Sequence, residues 1–350
     1  MTINYNDGTR YEGEVSKGMK HGQGMLYYSF GDTYKGHFMK DQRNGKGVYT
    51  WRNGDRYEGD FVADKRTGRG ICVWMNGDRY EGDFVDGVRI GQGTYIHRNG
   101  NKYSGEFTND KYNGKGTLFL ANGDCYEGDF VNGLPNGVGT FSWKNGNRYT
   151  GSVVNGVIKG KGIYHHANLE QYEGEFLDGK RNGHGIVTKL SGDILEGTFK
   201  NDSIVGMVII RFANGNRYEG MLINGMMEGK GIFVWSSGDK YEGGFSKNNL
   251  NGKGKMTYAN GDSYEGDIVN GIKSGQGTFI SVAGEKYVGS YDQDHRSGYG
   301  VQYYLDGSRY EGTFVDDKRN GLGELILLNG QSDYGEWRDD LFFKAKRKKK

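Results

Sequence analysis

The carboxylates of this chain that are best placed for acid–base chemistry recur at one fixed position. A glutamate follows most of the tyrosines that return at a regular interval, and a basic residue often precedes the same tyrosine. The glutamates are Glu12, Glu58, Glu81, Glu127, Glu173, Glu196, Glu219, Glu242, Glu265 and Glu311, and the arginines are Arg10, Arg56, Arg79, Arg148, Arg217 and Arg309. Because they recur in nearly every copy, we interpret them as a charge ladder across neighbouring strands, in which each pair contributes roughly 0.2 to 1 kcal/mol.

Other residue types that could bind a metal or a phosphate are also present. His165 and His166 are adjacent, with His97 at an equivalent position, but adjacent residues of a strand point to opposite faces and cannot easily bind one ion together. The Gly-x-Gly at residues 22 to 24 precedes no predicted helix, as a phosphate loop would. No nucleophile, base and orienting group stands apart from the repeat. We therefore predict no enzymatic activity, no cofactor and no metal site.

The elements that position these residues repeat every 23 residues. The stretch NGDRYEGDFV at 53–62 returns unchanged at 76–85, and steps of 23 from Tyr11 mark 15 copies without an insertion. Leu195 and Asp333 are the two positions of this series that are not tyrosine. A glycine stands two residues after every one of the 15 positions. A repeat array buries each unit against its neighbours and so does not need a thick core.

Each copy begins with a predicted amphipathic strand. Tyr57, Gly59 and Phe61 share one face of an extended chain, and the charged residues between them share the other. Glycine weakens a strand unless a ring or another backbone must lie where its side chain would stand. We therefore expect Gly59 to leave a trough for an aromatic ring.

A second strand and a turn complete each copy. Residues 45–51 contain glycines followed by β-branched and aromatic residues, and Asn53-Gly54 is a tight-turn signal. A two-residue turn and a longer turn would bring different faces of the second strand beside the tyrosine face of the next strand. This pattern therefore does not decide the register. We favour the register in which Gly45, Gly47, Tyr49 and Trp51 share the face of Tyr57.

The predicted fold class is all-β. We expect an elongated single-layer antiparallel ribbon of about 15 tandem β-hairpins, on the order of 140 Å long at two strands a copy. Its aromatic face is predicted to form a groove that binds partner proteins. The residues assigned to this groove are Tyr57, Phe61, Tyr80, Phe84, Tyr103, Phe107, Tyr126, Phe130, Tyr241, Phe245, Tyr310 and Phe314.

The order Y-x-G-x-F, six residues, G-x-G, then N-G before the next tyrosine resembles the MORN repeat (membrane occupation and recognition nexus) over residues 11 to 337. The family often has histidine before the second glycine. Here only His21 keeps it, and asparagine replaces it at Asn44, Asn113, Asn182, Asn251 and Asn320.

The resemblance implies a non-enzymatic scaffold. Similar all-repeat MORN proteins of protists belong to the cytoskeleton, at basal bodies, cilia, membrane-associated collars and division structures, and they bind protein partners. Similar repeats in junctophilins imply a tether to phosphoinositides or other anionic lipid as an alternative. A third alternative, from plant phosphatidylinositol phosphate kinases, is a regulatory subunit of a lipid kinase or another enzyme. Binding to nucleic acid is not expected.

We predict three segments along the chain. Residues 1–10 form an N-terminal half-repeat cap, and residues 11–340 form the repeat array. The pattern weakens between 165 and 212, which indicates drift, a bend or a patch for self-association. Residues 341–350 form an apolar and then polybasic tail, so the last copy is expected to lack a second strand.

The C-terminal segment contains two candidate contact regions. Self-association as a homodimer, formed through the C-terminal half, is expected to use Trp337, Leu341, Phe342 and Phe343. A contact with an anionic surface is expected to use Lys344, Lys346, Arg347, Lys348, Lys349 and Lys350.

The two cysteines, Cys72 and Cys125, are too far apart in the repeat to form a disulfide, which favours a reducing compartment. The sequence shows no signal peptide and no apolar run long enough to span a bilayer. We expect an intracellular protein of the cytoplasm, the cytoskeleton or the cytoplasmic face of a membrane.

Overall fold

The computed structural model describes residues 1 to 347, which contain 31 β-strands and no helix. The chain divides into two compact units, the first ending at Arg181 and the second beginning at Asn182. The strands of the first unit are β1 (Thr2–Asn4), β2 (Arg10–Ser16), β3 (Met19–Tyr27), β4 (Thr33–Met39), β5 (Gln42–Thr50), β6 (Arg56–Val62), β7 (Lys65–Val73), β8 (Arg79–Val85), β9 (Val88–Ile96), β10 (Lys102–Thr108), β11 (Lys111–Phe119), β12 (Cys125–Val131), β13 (Leu134–Ser142), β14 (Arg148–Val154), β15 (Val157–His165) and β16 (Gln171–Leu177). Strand β17 (Lys180–Thr188) starts at the division. The remaining strands of the second unit are β18 (Ile194–Lys200), β19 (Ser203–Arg211), β20 (Arg217–Ile223), β21 (Met226–Val234), β22 (Lys240–Ser246), β23 (Asn249–Thr257), β24 (Ser263–Val269), β25 (Ile272–Ile280), β26 (Lys286–Asp292), β27 (His295–Tyr303), β28 (Arg309–Val315), β29 (Lys318–Ile326), β30 (Ser332–Arg338) and β31 (Leu341–Ala345).

The strands of each unit pair in chain order. From β1 to β16 in the first unit, and from β17 to β31 in the second, each strand is antiparallel to the next one, as in β5 with β6 and β28 with β29. The predicted all-β array of antiparallel hairpins is therefore confirmed.

Two kinds of turn alternate along the array. Lys40 and Asp41 connect β4 to β5 and have φ angles of 51° and 68°, which is the two-residue turn that suits the twist of a hairpin. Asn53 and Gly54 instead lie in the longer connection between β5 and β6, in which the Trp51 N–H donates a hydrogen bond to the Asp55 carbonyl at 2.9 Å. The turn predicted at Asn-Gly is therefore confirmed, since the Gly54 N–H also donates to the Trp51 carbonyl at 2.9 Å, and of the two lengths left open the longer one is present.

The register agrees with the one favoured from the sequence. Tyr49 lies opposite Tyr57, Gly47 opposite Gly59, and Gly45 opposite Phe61. Directly opposed residues of an antiparallel pair point to the same face. The aromatic residues of both strands are thus confirmed on one face, which we call the core face.

Each core tyrosine lies over two glycines. Tyr80 is completely buried, and a Cβ atom at Gly93 of the next strand would stand 2.6 Å from Tyr80 Cε2. The Tyr80 hydroxyl donates a hydrogen bond to the Asp83 carbonyl at 3.1 Å, which holds the ring flat along the strand. A side chain at either glycine would therefore displace the ring.

One copy shows what happens without the ring. Leu195 replaces the tyrosine, and Val208 replaces the glycine equivalent to Gly93. Val208 is buried, and a Cβ atom at Gly197 would meet its Cγ1 at 3.0 Å. The valine thus occupies space that a tyrosine hydroxyl takes in the other copies, so the two substitutions compensate each other.

The first and last strands extend the pairing at the two termini. Strand β1 pairs with β2, and Ile3 lies opposite Tyr11. Strand β31 pairs with β30, and Phe342 lies opposite Trp337. The expectation that the last copy lacks a second strand is therefore wrong, because residues 341–345 supply a short one.

We predict that Gly93→Val lowers the free energy of unfolding of the first unit by about 1 to 3 kcal/mol, because the valine overpacks the space below Tyr80. Adding Tyr80→Leu should relieve most of this loss, as Leu195 and Val208 do naturally. Urea denaturation of the two single variants and the double variant gives the coupling. The surface variant Glu81→Val is the control, and strict additivity of the two changes would contradict this packing.

Candidate protein-binding surfaces

The twelve residues assigned to an aromatic groove form the core of the sheet. Each of Tyr57, Phe61, Tyr80, Phe84, Tyr103, Phe107, Tyr126, Phe130, Tyr241, Phe245, Tyr310 and Phe314 is at most 4% exposed. The Phe84 ring contacts Tyr80 of its own copy and Tyr57 of the preceding copy edge-on, with both centroid distances 5.2 Å. These rings are buried in contacts within and between copies and are not accessible to a partner.

Basic side chains cover more than half of these rings, in a layer that was not predicted from the sequence. Arg43 Cζ lies 5.0 Å from the ring centroid of Tyr49 and 5.3 Å from that of Phe61. Its Nε donates a hydrogen bond to Asp64 Oδ1 at 2.9 Å. A cation over an aromatic face contributes about 0.5 to 2 kcal/mol, depending on its exposure.

This layer does have a sequence signal. A basic residue stands nine positions after the tyrosine at Lys20, Arg43, Arg66, Arg89, Arg181, Lys273, Arg296 and Arg319. In most of these copies an aspartate follows 21 residues later and joins one copy to the next, as Asp110 accepts from Arg89 and Asp340 from Arg319.

Most of the glutamates beside the tyrosines pair with a basic residue of their own strand. Arg56 Nη2 lies 2.7 Å from Glu58 Oε2, and Arg79 Nη2 lies 2.6 Å from Glu81 Oε2. The residues opposite Glu58 on the neighbouring strands are Val48 and Ile71. The predicted ladder across strands is therefore wrong at Glu58, because aliphatic residues occupy the opposing positions. It holds at Glu196, which pairs with Arg211 and His184 on the two neighbouring strands.

The face opposite the core carries an accessible trough in the first unit. This β3–β8 trough has a volume of about 650 Å³. Its centre is a row in which Val48, Glu58, Ile71 and Glu81 alternate on successive strands, and its edges include Lys35, Lys46 and Arg69. The surface of the trough thus has aliphatic and charged side chains next to one another and no aromatic ring.

A trough of similar size lies on the same face of the second unit. Its volume is about 710 Å³, and its lining includes Glu242, Lys253, Lys255, Glu265 and Val288. It is more polar than the β3–β8 trough, because Lys255 and Thr278 stand where Val48 and Ile71 stand in the first unit.

The residues assigned to self-association fall into two groups. Trp337 is 3% exposed and its Nε1–H donates to the Gly323 carbonyl at 3.2 Å, so it belongs to the core. Leu341, Phe342 and Phe343 on β31 are 73%, 40% and 57% exposed. Three neighbouring apolar side chains therefore remain available on the last strand.

The basic residues that follow are partly described. Lys344, Lys346 and Arg347 are exposed, and Lys346 Nζ lies 3.5 Å from Glu336 Oε2. Lys348, Lys349 and Lys350 lie outside the described residues.

The histidines and cysteines are not brought together. His97 Nε2 lies 2.9 Å from the Tyr112 hydroxyl, and the His166 ring contacts the Tyr164 ring. Cys72 and Cys125 are free thiols. In residues 1 to 347 no cluster of three or more His, Cys, Asp or Glu side chains could hold a metal ion, and no helix there is long and apolar enough to cross a membrane.

Comparison with known families matches the MORN repeat along most of the chain. The matched segments are residues 11–33, 34–56, 57–79, 80–102, 103–125, 126–148, 149–169, 172–194, 218–240, 241–263, 264–286, 287–309 and 310–332. The chain therefore belongs to the MORN repeat family, whose repeats are a non-catalytic type. The interval from 195 to 217, which begins at Leu195, is not matched.

Solved structures resemble the chain only remotely. The TCP domain of SAS-4 from Drosophila melanogaster is 15% identical, with a TM-score of 0.31, and the match covers 45% of this chain and 85% of that one. The TCP10 domain of Danio rerio CPAP is 11% identical, with a TM-score of 0.24, over 68% and 95% of the two chains. Virginiamycin B lyase from Staphylococcus aureus is 11% identical, with a TM-score of 0.13, over 88% and 89%. The comparison with curated proteins found no significant match.

We predict that the protein unfolds between about pH 10 and pH 12. Burial raises the pKa of Tyr34, Tyr126 and Tyr310 to about 12. Tyrosine in an unfolded chain titrates near pH 10. The neutral ring therefore stabilises the fold fully below pH 10, and this stabilisation is lost as the pH rises towards 12.

Tyrosinate absorbance and far-UV circular dichroism should then change together. The urea-unfolded protein, titrated in parallel, supplies the reference. Full ionisation of the tyrosines near pH 10 with an unchanged circular dichroism spectrum would show that the rings are not held as described.

Proposed function

We propose that this chain is a non-enzymatic scaffold that binds protein partners on the face opposite its aromatic core. The observation that carries this proposal is the β3–β8 trough, an accessible surface of about 650 Å³ across six consecutive strands. The core face cannot serve in the same way where its rings are buried beneath the basic layer.

The chemistry of the trough suits a peptide segment. Specific interfaces place apolar contacts at the centre and polar groups at the rim. Val48 and Ile71 supply the apolar contacts, and Lys46, Arg69 and Glu81 supply polar groups of both signs. A segment that crosses the strands meets an aliphatic side chain on every second strand and a carboxylate on the strand between.

The cellular setting rests on the family resemblance. All-repeat MORN proteins are placed at the cytoskeleton and at membrane-associated structures, and we extend that setting to this chain. The exposed Lys344, Lys346 and Arg347 would add attraction to an anionic membrane surface, in proportion to the number of charges near it.

We predict that Ile71→Lys weakens binding of a trough partner about tenfold or more, because a charge then replaces an apolar contact at the centre of the interface. A photocrosslinking residue at Val48 of the full chain identifies the partner, and titration calorimetry with the purified partner measures the affinity. Val62→Lys is the matched control, because Val62 is exposed on the same face outside the trough. Equal loss in both variants, or no crosslink from Val48, would count against the trough.

A second proposal concerns pairing of two copies through β31. Among residues 1 to 347 this strand pairs only with β30, so one edge is open and flanked by Leu341, Phe342 and Phe343. A twofold arrangement would cover the apolar residues of both copies at once and would leave no open β31 edge for further addition. We therefore propose a homodimer formed through the C-terminal half.

We predict that Phe342→Asp combined with Phe343→Asp makes the full chain monomeric, because it places charges in the apolar contact. Light scattering after gel filtration, over a range of concentrations, measures the mass. Leu328→Asp removes an even more exposed apolar residue from a turn of the same unit and should leave the dimer intact. A wild-type protein of monomer mass at every concentration would refute the proposal.

A further inference from the structure

A cavity of about 300 Å³ opens on the core face of the second unit. It lies where Leu195 interrupts the series of tyrosines, and its apolar lining includes Leu195, Ile210, Leu222 and Met227. We call this cavity the Leu195 pocket. Its volume is at the lower end of the range for sites that hold small ligands.

The first unit shows why the pocket exists. There the equivalent space is filled by Arg66, whose Cζ lies 5.6 Å from the Tyr57 ring centroid and 5.4 Å from that of Phe84. Its Nη2 donates to the Gly87 carbonyl at 2.8 Å. Arg66 thus closes the core face over its own copy and the next.

Six repeats later the three side chains that make this closure are replaced by shorter aliphatic ones, and the glycine is kept. Tyr57 corresponds to Leu195, Arg66 to Ile204, Phe84 to Leu222 and Gly87 to Gly225, at a constant offset of 138 residues. Leu195, Leu222 and Gly225 line the pocket. The pocket is therefore the slot that an arginine side chain fills elsewhere.

The replacements decide which ligand fits. Ile204 and Leu222 are aliphatic, and Leu195 lacks the ring and hydroxyl of a tyrosine, so the slot is lined for an apolar group and not for a guanidinium. Two of its polar residues are already used. Asp193 Oδ1 accepts from the Ala213 N–H at 2.9 Å, and Asn248 Oδ1 accepts from the Met227 N–H at 2.8 Å.

Lys189 differs from these two polar residues. It also lines the pocket, and it is exposed. In the described part of the chain its ammonium group makes no hydrogen bond or ion pair, and the Asp193 carboxylate of the same pocket attracts it only at longer range. It is therefore available to a negatively charged group that enters beside the apolar one.

We propose that the Leu195 pocket receives one bulky aliphatic or aromatic side chain of a partner protein, with a carboxylate next to it that pairs with Lys189. This inference rests on the proposed scaffold function and adds the chemistry of one partner contact. A single anchored side chain surrounded by weaker contacts is a common arrangement at protein interfaces.

The test uses the full chain with methyl-labelled methionine and N-acetyl-leucine as the probe. Because Met227 lines the pocket, its methyl resonance should shift with saturation as the probe is added. Ile204→Arg and, independently, Ile204→Phe should abolish the shift by refilling the slot. Ile158→Arg, a change at the equivalent repeat position of the first unit, should leave the shift intact.

The charge requirement has its own measurements. Lys189→Gln should weaken N-acetyl-leucine binding about two- to fivefold, which is the contribution expected of an exposed ion pair. The uncharged N-acetyl-leucine amide should bind more weakly than N-acetyl-leucine by a similar factor.

Three results would overturn the proposal. One is an equal shift of the exposed Met207 and Met221, which would mean non-specific association. Another is a Met227 shift that persists in both refilled variants. The third is tighter binding of decanoate than of N-acetyl-leucine, which would assign the pocket to an acyl chain. None of these results affects crosslinking from Val48 in the first unit, so failure here is distinguishable from failure of the scaffold proposal.

Discussion

The tyrosine ring that lies flat over two glycines is the contact on which each hairpin depends. Tyr80 covers Gly82 and Gly93, and its hydroxyl bonds to the backbone of its own strand. A single sheet layer has no second layer to cover its apolar face. The tyrosine rings instead lie along the strands and contact the phenylalanines of their own and adjacent copies. These contacts bury the rings within a single layer.

This packing also determines where partners can bind. Arg43 and its equivalents cover the rings, and their aspartate partners join one copy to the next, so the core face in these copies is occupied by the protein's own side chains. The opposite face carries no such cover. Its aliphatic and charged residues, such as Val48 and Glu58, are therefore the groups offered to another protein.

Several departures from the repeat pattern lie close together, at the place where the core face has a pocket instead of a tyrosine ring covered by a basic side chain. Leu195 and Val208 replace a tyrosine and a glycine together, because the removal of one ring leaves space for the other side chain. The same region has Ile204 in place of the basic cover, and a pocket results. Sites that break a local rule of the fold are often the functional ones, and the family comparison leaves the interval from 195 to 217 unmatched.

The sequence by itself determined the hairpin period, the face shared by Tyr57, Gly59 and Phe61, and the family, because these depend on local alternation and on spacing. The tertiary structure decided what depends on neighbouring copies. The aromatic residues are closed off because Arg43 and Arg66 reach back over them, a contact between strands that alternation does not encode. Glu58 pairs with Arg56 on its own strand because valine and isoleucine stand opposite it. Phe342 lies in a last hairpin because β31 forms hydrogen bonds with the open edge of β30. The sequence pattern of residues 341–345 alone does not show this pairing.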